Sequence, residues 1–436
     1  MNYSFRRFSS MLNLLKTKSR RLGTNKILLA ALATTSLVVS QSSHPVDAAL
    51  EDSPKNVVDE VWQIVNSEFV DRGFNHIDWK IKRQELLSRE YSDRESAYEA
   101  VRQSLEELGD PYTRFLNPEE YEELSNQTSG ELSGIGIQLG VDRQTKKLTV
   151  IEPIPNSPAI EAGLKSGDRI LSIDGKSTDL MSLEQASAEI KGEVGTEVKL
   201  KISRDQQPDF EVAIARAQIE LPSVSYTLKE EQNSKVGYIK LEEFSSHAAE
   251  QMQVAIEDLS DEASGFVLDL RGNPGGLLFS SVEIARMWMG KGAIVSTIDN
   301  KGGNEKFSAN GKALTDLPLV VLVDGYSASA SEILAGALKE NQRAKVVGSR
   351  TYGKGTVQSV HSLSDGSGLA VTIARYYPPS GMDINQKGID PDIMVNLSRE
   401  EQTILSVNPD LIGTVDDPQY ARAVTILKSE SVSQDN

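Results

Sequence analysis

One stretch restricts the fold more than any other. Leu319-Val-Val-Leu-Val323 is a short, fully apolar run of the kind a buried strand makes. Glu332-Ile-Leu-Ala-Gly-Ala-Leu-Lys339 carries the alanine and leucine of a helix. Asp324-Gly-Tyr-Ser-Ala-Ser-Ala-Ser-Glu332 lies between them, so a serine cluster occupies a strand-to-helix turn. The first N–H groups of a helix are unpaired and point at whatever binds there. Such a turn can hold both a nucleophile and a donor for a developing oxyanion. Close packing of small residues and serine capping would give the same string, and this stretch alone leaves both readings open.

The residues that follow shift the balance. Thr351-Tyr-Gly-Lys-Gly-Thr-Val-Gln358 places Lys354 between two glycines, after the apolar run Ala344-Lys-Val-Val-Gly348. A serine hydroxyl needs a base, and a desolvated lysine of depressed pKa can serve. In these residues the chain resembles the carboxyl-terminal processing proteases, PDZ-containing serine proteases that cut near substrate C-termini. The resemblance implies Ser329 as nucleophile, Lys354 as general base and Gln358 as the residue that orients the lysine. It also implies an oxyanion hole made by the N–H of Ala330 and the N–H of Gly275, the latter in Asp269-Leu-Arg-Gly-Asn-Pro-Gly-Gly276.

With 436 residues the chain is long enough for two or three domains. Its formal charge of −17 argues against nucleic acid and against an anionic membrane surface as partners. The absence of cysteine excludes disulfides and thiolate chemistry. Four histidines without a His-x-x-x-His spacing leave no zinc pattern, and neither metal nor cofactor is expected. Arg6, Arg7, Lys16, Lys18, Arg20, Arg21 and Lys26 precede an apolar run over residues 27–39. That is the layout of a signal peptide, residues 1–48, cleaved after Ala48; an uncleaved anchor is the alternative. Export follows, to a periplasm or a thylakoid lumen. Contact with a membrane is expected only through the leader or a membrane-bound substrate.

Along the mature chain, Val57, Val58, Val61, Trp62, Val65 and Phe69 recur at helical spacing. Ser92-Asp-Arg-Glu95 reads as a capping box. Residues 51–128 are therefore read as a helical N-terminal region, a candidate homodimerisation arm without chemistry of its own. Within it, Asp110-Pro-Tyr-Thr-Arg-Phe-Leu116 resembles a stretch that the family carries before its PDZ domain, with a packing role expected. From about Gly130 glycines and short strands take over. Ser133-Gly-Ile-Gly-Ile137 lacks the spacing of a phosphate cradle and resembles the carboxylate-binding loop of a PDZ domain. By that resemblance Ile135, Gly136 and Ile137 would hold a peptide C-terminus, with Ile135 and Ile137 lining an apolar pocket. Lys191 falls where the family often has arginine, and a solvated side chain is expected there. A PDZ domain over 129–217, a protease core over 218–398 and a polar C-terminal tail over 399–436 complete the plan. The tail is expected to hold a short helix at 420–427 and a disordered end. The fold class is α+β multidomain, with an α/β core that the resemblance relates to the crotonase-like spiral.

A Ser-His-Asp hydrolase competes with this reading, but no Gly-x-Ser-x-Gly elbow occurs. His361 is the alternative base, and His247 reads as a helix-terminal residue. Ser327 is expected in the turn and Ser331 at the helix start. Arg271 and Asn273 are expected to fix the loop of Gly275, and Asp269 to bond to backbone. Arg375-Tyr-Tyr-Pro-Pro-Ser-Gly381 and Gly388-Ile-Asp-Pro-Asp392 are expected to shape the substrate groove. A secreted PDZ scaffold with a dead core, or a crotonase-like acyl-CoA enzyme, are the other functions weighed. The intact serine, lysine and glutamine speak against the first and export against the second. The resemblance lies nearest the cyanobacterial and chloroplast branch. It implies peptide substrates with free C-termini, among them a photosystem II reaction-centre precursor.

Overall fold

Leu319–Val323 is a strand with all five residues buried, as is its neighbour Gly265–Asp269. A computed structural model describes residues 53–142, 145–231 and 234–434; the leader read over 1–48 lies outside them. Val224–Glu231 pairs antiparallel with Ser234–Leu241. Gly265–Asp269, Leu319–Val323, Lys345–Gly348 and Ile393–Met394 then continue the sheet in parallel. A parallel strand buried on both sides needs two covers. Leu319, Val321 and Val323 face the helices Ala248–Ser260, Leu278–Trp288 and Ala330–Glu340, in one core with Met252, Trp288 and Leu334. Val320 and Leu322 point the other way, onto Tyr420, Val424 and Leu427. Those three belong to Pro418–Gln434, one helix reaching through residues expected to be disordered. The last segment is the second cover of the sheet, which its polar composition concealed.

A second sheet centres on Gly368–Tyr377, paired with Arg114–Leu116, Ala293–Asp299 and Thr356–Ser362. Helices Pro54–Glu68, Trp79–Ser88 and Arg94–Glu106 pack on it. The stripe Val57, Val58, Val61, Val65 and Phe69, read as part of a dimerisation arm, is buried in one cluster with Leu369 and Val371. The apolar face is thus covered within the chain. The N-terminal region is not wholly helical, because Arg114–Leu116 joins the sheet. The capping box sits one residue later than read, with Asp93 and Ser96 exchanging bonds.

Glu131–Gly134 and Ala217–Glu220 form a two-stranded neck. The chain between them builds a separate six-stranded sheet with its own core of Val150, Ile170, Leu200 and Ile202. The Asp-Gly turn takes positive φ at both Asp174 (48°) and Gly175 (80°), the geometry that such hairpins prefer. The whole is the α+β assembly expected: helical region, PDZ-like β domain and α/β core. No helix among the described residues is long and apolar enough to cross a membrane.

Candidate active site

Gly265–Asp269 and Leu319–Val323 run parallel and in register, so their carboxyl ends deliver two loops to one place. Asp324 accepts from the N–H groups of Gly272, Tyr326 and Ser327, each at 3.0 Å. Ser327 Oγ donates to Leu270 O at 2.8 Å and Ser331 Oγ to Asn273 O at 3.0 Å. The two neighbouring serines are therefore stitches between the loops. Ser329 between them takes φ 55° and ψ −114° at the start of Ala330–Glu340. A non-glycine residue held there stores on the order of 1–3 kcal/mol, sustained by its surroundings. Ser329 is half-buried, and its hydroxyl donates no hydrogen bond among the described residues. The N–H of Ala330, in the first turn of the helix, is also without an acceptor among the described residues.

Glu332 joins this turn to the lysine loop. Its buried carboxylate accepts from Ser329 N–H at 2.9 Å, Lys354 N–H at 2.9 Å, Gly353 N–H at 2.7 Å and the Thr351 hydroxyl at 2.6 Å. Thr351 exchanges bonds with Ile389, and Gln386 N–H donates to Gly353 O at 2.7 Å. Gly388 takes φ 69°, and a Cβ there would lie 2.3 Å from Thr351 O. The 388–392 stretch, read as part of the groove, braces the Lys354 loop instead.

Lys354 Nζ has neither hydrogen bond nor ion pair among the described residues and lies 4.7 Å from the centroid of the Tyr112 ring. Burial first, then the charge of Arg114, pushes its pKa below the ordinary lysine value, against the pull of Asp110 and Glu332. The Tyr112 phenol is itself pushed up to about 12, by burial and then by Tyr352. A cleft of about 440 Å³ is lined by Ser329, Ala330, Gly275, Lys354 and Gln358 together. Five residues named from sequence thus meet in one cleft, but not all of them touch. Gln358 Nε2 donates to the hydroxyls of Thr356 (2.9 Å) and Thr372 (3.2 Å), not to Lys354. Gly275 N–H donates to Asn273 Oδ1 at 2.8 Å. Asn273 is anchored in turn through Nδ2 to Leu241 O. Tyr376 lines the cleft and donates to Ser329 O at 3.1 Å, so the 375–381 stretch does reach the groove.

Several expectations need correcting. Tyr112 and Arg114, read as packing residues, line the cleft, because Arg114–Leu116 pairs with the strand Gly368–Tyr377 beside it. Asp269 accepts from the Arg271 backbone N–H at 3.0 Å, as expected, but also from side chains: burial raises its pKa, and the Arg271 guanidinium overcomes this and holds the carboxyl low. Arg271 also reaches Asp417, tying the Gly275 loop to the C-terminal segment. His361, the alternative base, pairs with Glu68 at 2.9 Å on the N-terminal helix; His247 stands at the start of the helix Ala248–Ser260, as read, and pairs with Glu131 at 2.8 Å. Glu332 and Tyr376 were missed as individual site residues; the three-residue offset of Glu332 from Ser329 was the available signal.

In the β domain, the carbonyls of Ile135 and Gly136 accept from Ala159 and Ile154, both at 2.9 Å. The N–H groups of Ile135 and Gly136 donate to nothing among the described residues. Gly136 has φ 79°, and a Cβ there would fall 2.2 Å from Ser157 Cβ. Ile135 is a core residue, not a pocket wall, and Ile137 packs partly against that core. Lys191 ends the helix Leu183–Ile190 with its side chain exposed.

The peptidase family S41 profile matches residues 235–395 and the PDZ domain profile residues 123–203. A carboxyl-terminal-processing protease of Synechocystis sp. is 43% identical over 369 residues, covering 84% of this chain and 85% of its own. The chain belongs to the S41 carboxyl-terminal-processing proteases. A chloroplastic member, carboxyl-terminal-processing peptidase 3 of Arabidopsis thaliana, is 38% identical, covering 80% of this chain and 70% of its own. A solved structure, the photosystem II D1 C-terminal processing protease, matches with 36% identity and a TM-score of 0.51, over 79% of this chain and 93% of that one. As a serine protease of this family, the chain has little room at Gly275. A Cβ there would lie 2.8 Å from Ser329 Cβ and 3.1 Å from Ala330 N. Gly275→Ala is expected to lower kcat on the order of 10²-fold, because the added Cβ must displace the Ser329 turn and a shift of about 1 Å costs that much, with the fold retained. Peptide kinetics and a thermal melt check both halves.

Proposed function

We propose that the protein is an exported endopeptidase that reads substrate C-termini through its PDZ domain and cleaves by Ser329–Lys354 acyl-enzyme chemistry. The carrying observation is the strained Ser329, whose hydroxyl donates to nothing among the described residues, in the same cleft as a half-buried Lys354 whose Nζ has no hydrogen bond or ion pair among them. Neutral Lys354 removes the Ser329 proton as Oγ attacks the scissile carbonyl. The developing oxyanion is met by the N–H of Ala330, and by that of Gly275 once Asn273 releases it. The protonated lysine then supplies the proton to the leaving amine, and water hydrolyses the ester after the same base activates it. Gln358 orients Nζ in the assembled state. Catalytic hydrogen bonds are often long before substrate binds and tighten in the complex, so the reading requires Nζ to close to about 3 Å of Oγ.

The open N–H groups of Ile135 and Gly136, with that of Ile137, would receive the substrate carboxylate while the peptide adds as a strand. The compartment is a periplasm or thylakoid lumen, and a photosystem II reaction-centre precursor is the substrate class that the D1-processing relative suggests. The test uses residues 49–436 with unstructured peptides of free or amidated C-terminus. The parent should cleave, amidation should slow it, and Ser329→Ala should fall to background. Cleavage by Ser329→Ala at the parent rate would remove Ser329 from the mechanism.

A further inference from the structure

Arg114 is held at its Cα by strand pairing opposite Ala370, while Phe115 and Leu116 beside it are buried. Its own side chain is exposed and has no hydrogen bond, ion pair or ring contact among the described residues. It lines the catalytic cleft with Ser329 and Lys354. It also lines a neighbouring cavity of about 520 Å³, with Arg102, Leu105, Thr113 and Phe115. Arg102 there is paired with Glu95 and Glu120. Arg114 is not paired among the described residues, in a chain of formal charge −17, and its charge helps push the neighbouring Lys354 towards the neutral form. A guanidinium left without a counter-charge in the cleft is one that a bound anion would stabilise. A guanidinium is also the group best shaped to take a carboxylate through two parallel bonds.

We propose that Arg114 recognises a carboxylate carried by the peptide substrate next to the scissile bond, and that the adjoining cavity receives that end of the peptide. The inference rests on the Ser329–Lys354 reading of the cleft. The carboxylate can be an acidic side chain or the peptide's own terminus. The groups facing Lys354 that bear on its protonation are Tyr112, Arg114 and Asp110 from the N-terminal stretch and Glu332 from the nucleophile's helix.

The full chain, Arg114→Gln and Arg114→Lys are assayed on one peptide in paired forms: free against amidated C-terminus, and Asp against Asn at each position flanking the cleavage site. Within each protein the readout is the ratio of kcat/KM for the two members of a pair. The parent should favour one carboxylate by about tenfold or more, the scale of a hydrogen bond to a charged group. Arg114→Gln should bring that ratio close to one, and Arg114→Lys should keep part of it. Whichever pair responds identifies the source of the carboxylate. Arg114→Gln should also move the acid limb of the kcat–pH profile to higher pH, which a merely structural change would not do. A parent without preference, or a ratio unchanged in Arg114→Gln, overturns the proposal. So does a preference that survives Arg114→Gln and disappears when Gly136 of the PDZ loop is replaced. If Arg114→Gln loses its fold, Arg114→Lys decides alone: an undiminished ratio rejects the bidentate role. Undiminished cleavage by a Lys354 variant would sink the Ser–Lys reading separately, since the Arg114 ratios do not depend on which base acts.

Discussion

Lys354→Met should abolish peptide cleavage and make the folded protein more stable at neutral pH. The two effects share one cause. Lys354 carries an amine that burial and Arg114 drive towards its neutral form, with no acceptor among the described residues to hold it when charged. General-base help contributes about 10²–10⁴-fold, so a loss of that order is expected when methionine fills the space without a basic nitrogen. The pH dependence follows from the direction of the shift. Below the depressed pKa the neutral fraction grows tenfold per pH unit, so activity climbs with pH and levels off before the ordinary lysine value of about 10.4. For stability, the unfolded chain binds this proton more tightly than the folded one does. The penalty is therefore full below the folded pKa and is relieved as pH rises from the folded pKa to the unfolded one. The parent should gain stability across that window, and Lys354→Met should already have the gain at neutral pH. Urea melts at several pH values check this, beside a kcat–pH profile. A parent profile that is flat or falling above neutrality would remove lysine as the base.

How much of this was legible beforehand depends on where each signal lay. Ser329, Ala330, Gly275, Lys354 and Gln358 could be named because each sits in a short local string that resembles the family's pattern, and the parallel pairing of Gly265–Asp269 with Leu319–Val323 brings those strings into one cleft. Tyr112 and Arg114 were not readable as site residues. Their place depends on Arg114–Leu116 adding to a strand more than 250 residues later in the chain, and local periodicity carries no trace of such a contact. The helix Pro418–Gln434 was underestimated for a related reason. Its buried positions Tyr420, Ala423, Val424 and Leu427 are sparse in a polar sequence. The demand for cover was written in the wholly apolar strand, whose alternate residues needed a partner on the second face. His361 was separable from the base role only by its bond to Glu68, again a contact between distant parts of the chain.

Replacing Glu332 should have the largest combined effect on stability and activity, although no atom of Glu332 is required in the chemistry. The side chain is fully buried and its two oxygens collect four donors, one from the Ser329 turn and three from the Lys354 loop. Glu332→Ala leaves the N–H groups of Ser329, Gly353 and Lys354 and the Thr351 hydroxyl without their acceptor. Each stranded buried donor costs about 1–3 kcal/mol, so a loss of several kcal/mol is expected even after partial relaxation. The more informative variant is Glu332→Gln, which keeps the volume. One oxygen becomes an NH₂ group, and either orientation of the amide sets new donors against donors. Turned one way it faces the N–H groups of Ser329 and Lys354; turned the other, the N–H of Gly353 and the Thr351 hydroxyl. Stability should fall less than in the alanine variant, because one acceptor survives. Activity should still drop by 10²-fold or more, because either the Ser329 turn or the Lys354 loop is released, and a displacement of about 1 Å at a reacting group costs that much. Denaturant unfolding separates the two variants, and peptide cleavage should not. If Glu332→Gln cleaves at the parent rate, the carboxylate is only a core anchor, and the serine and lysine loops are registered by other contacts, the Thr351–Ile389 pair foremost.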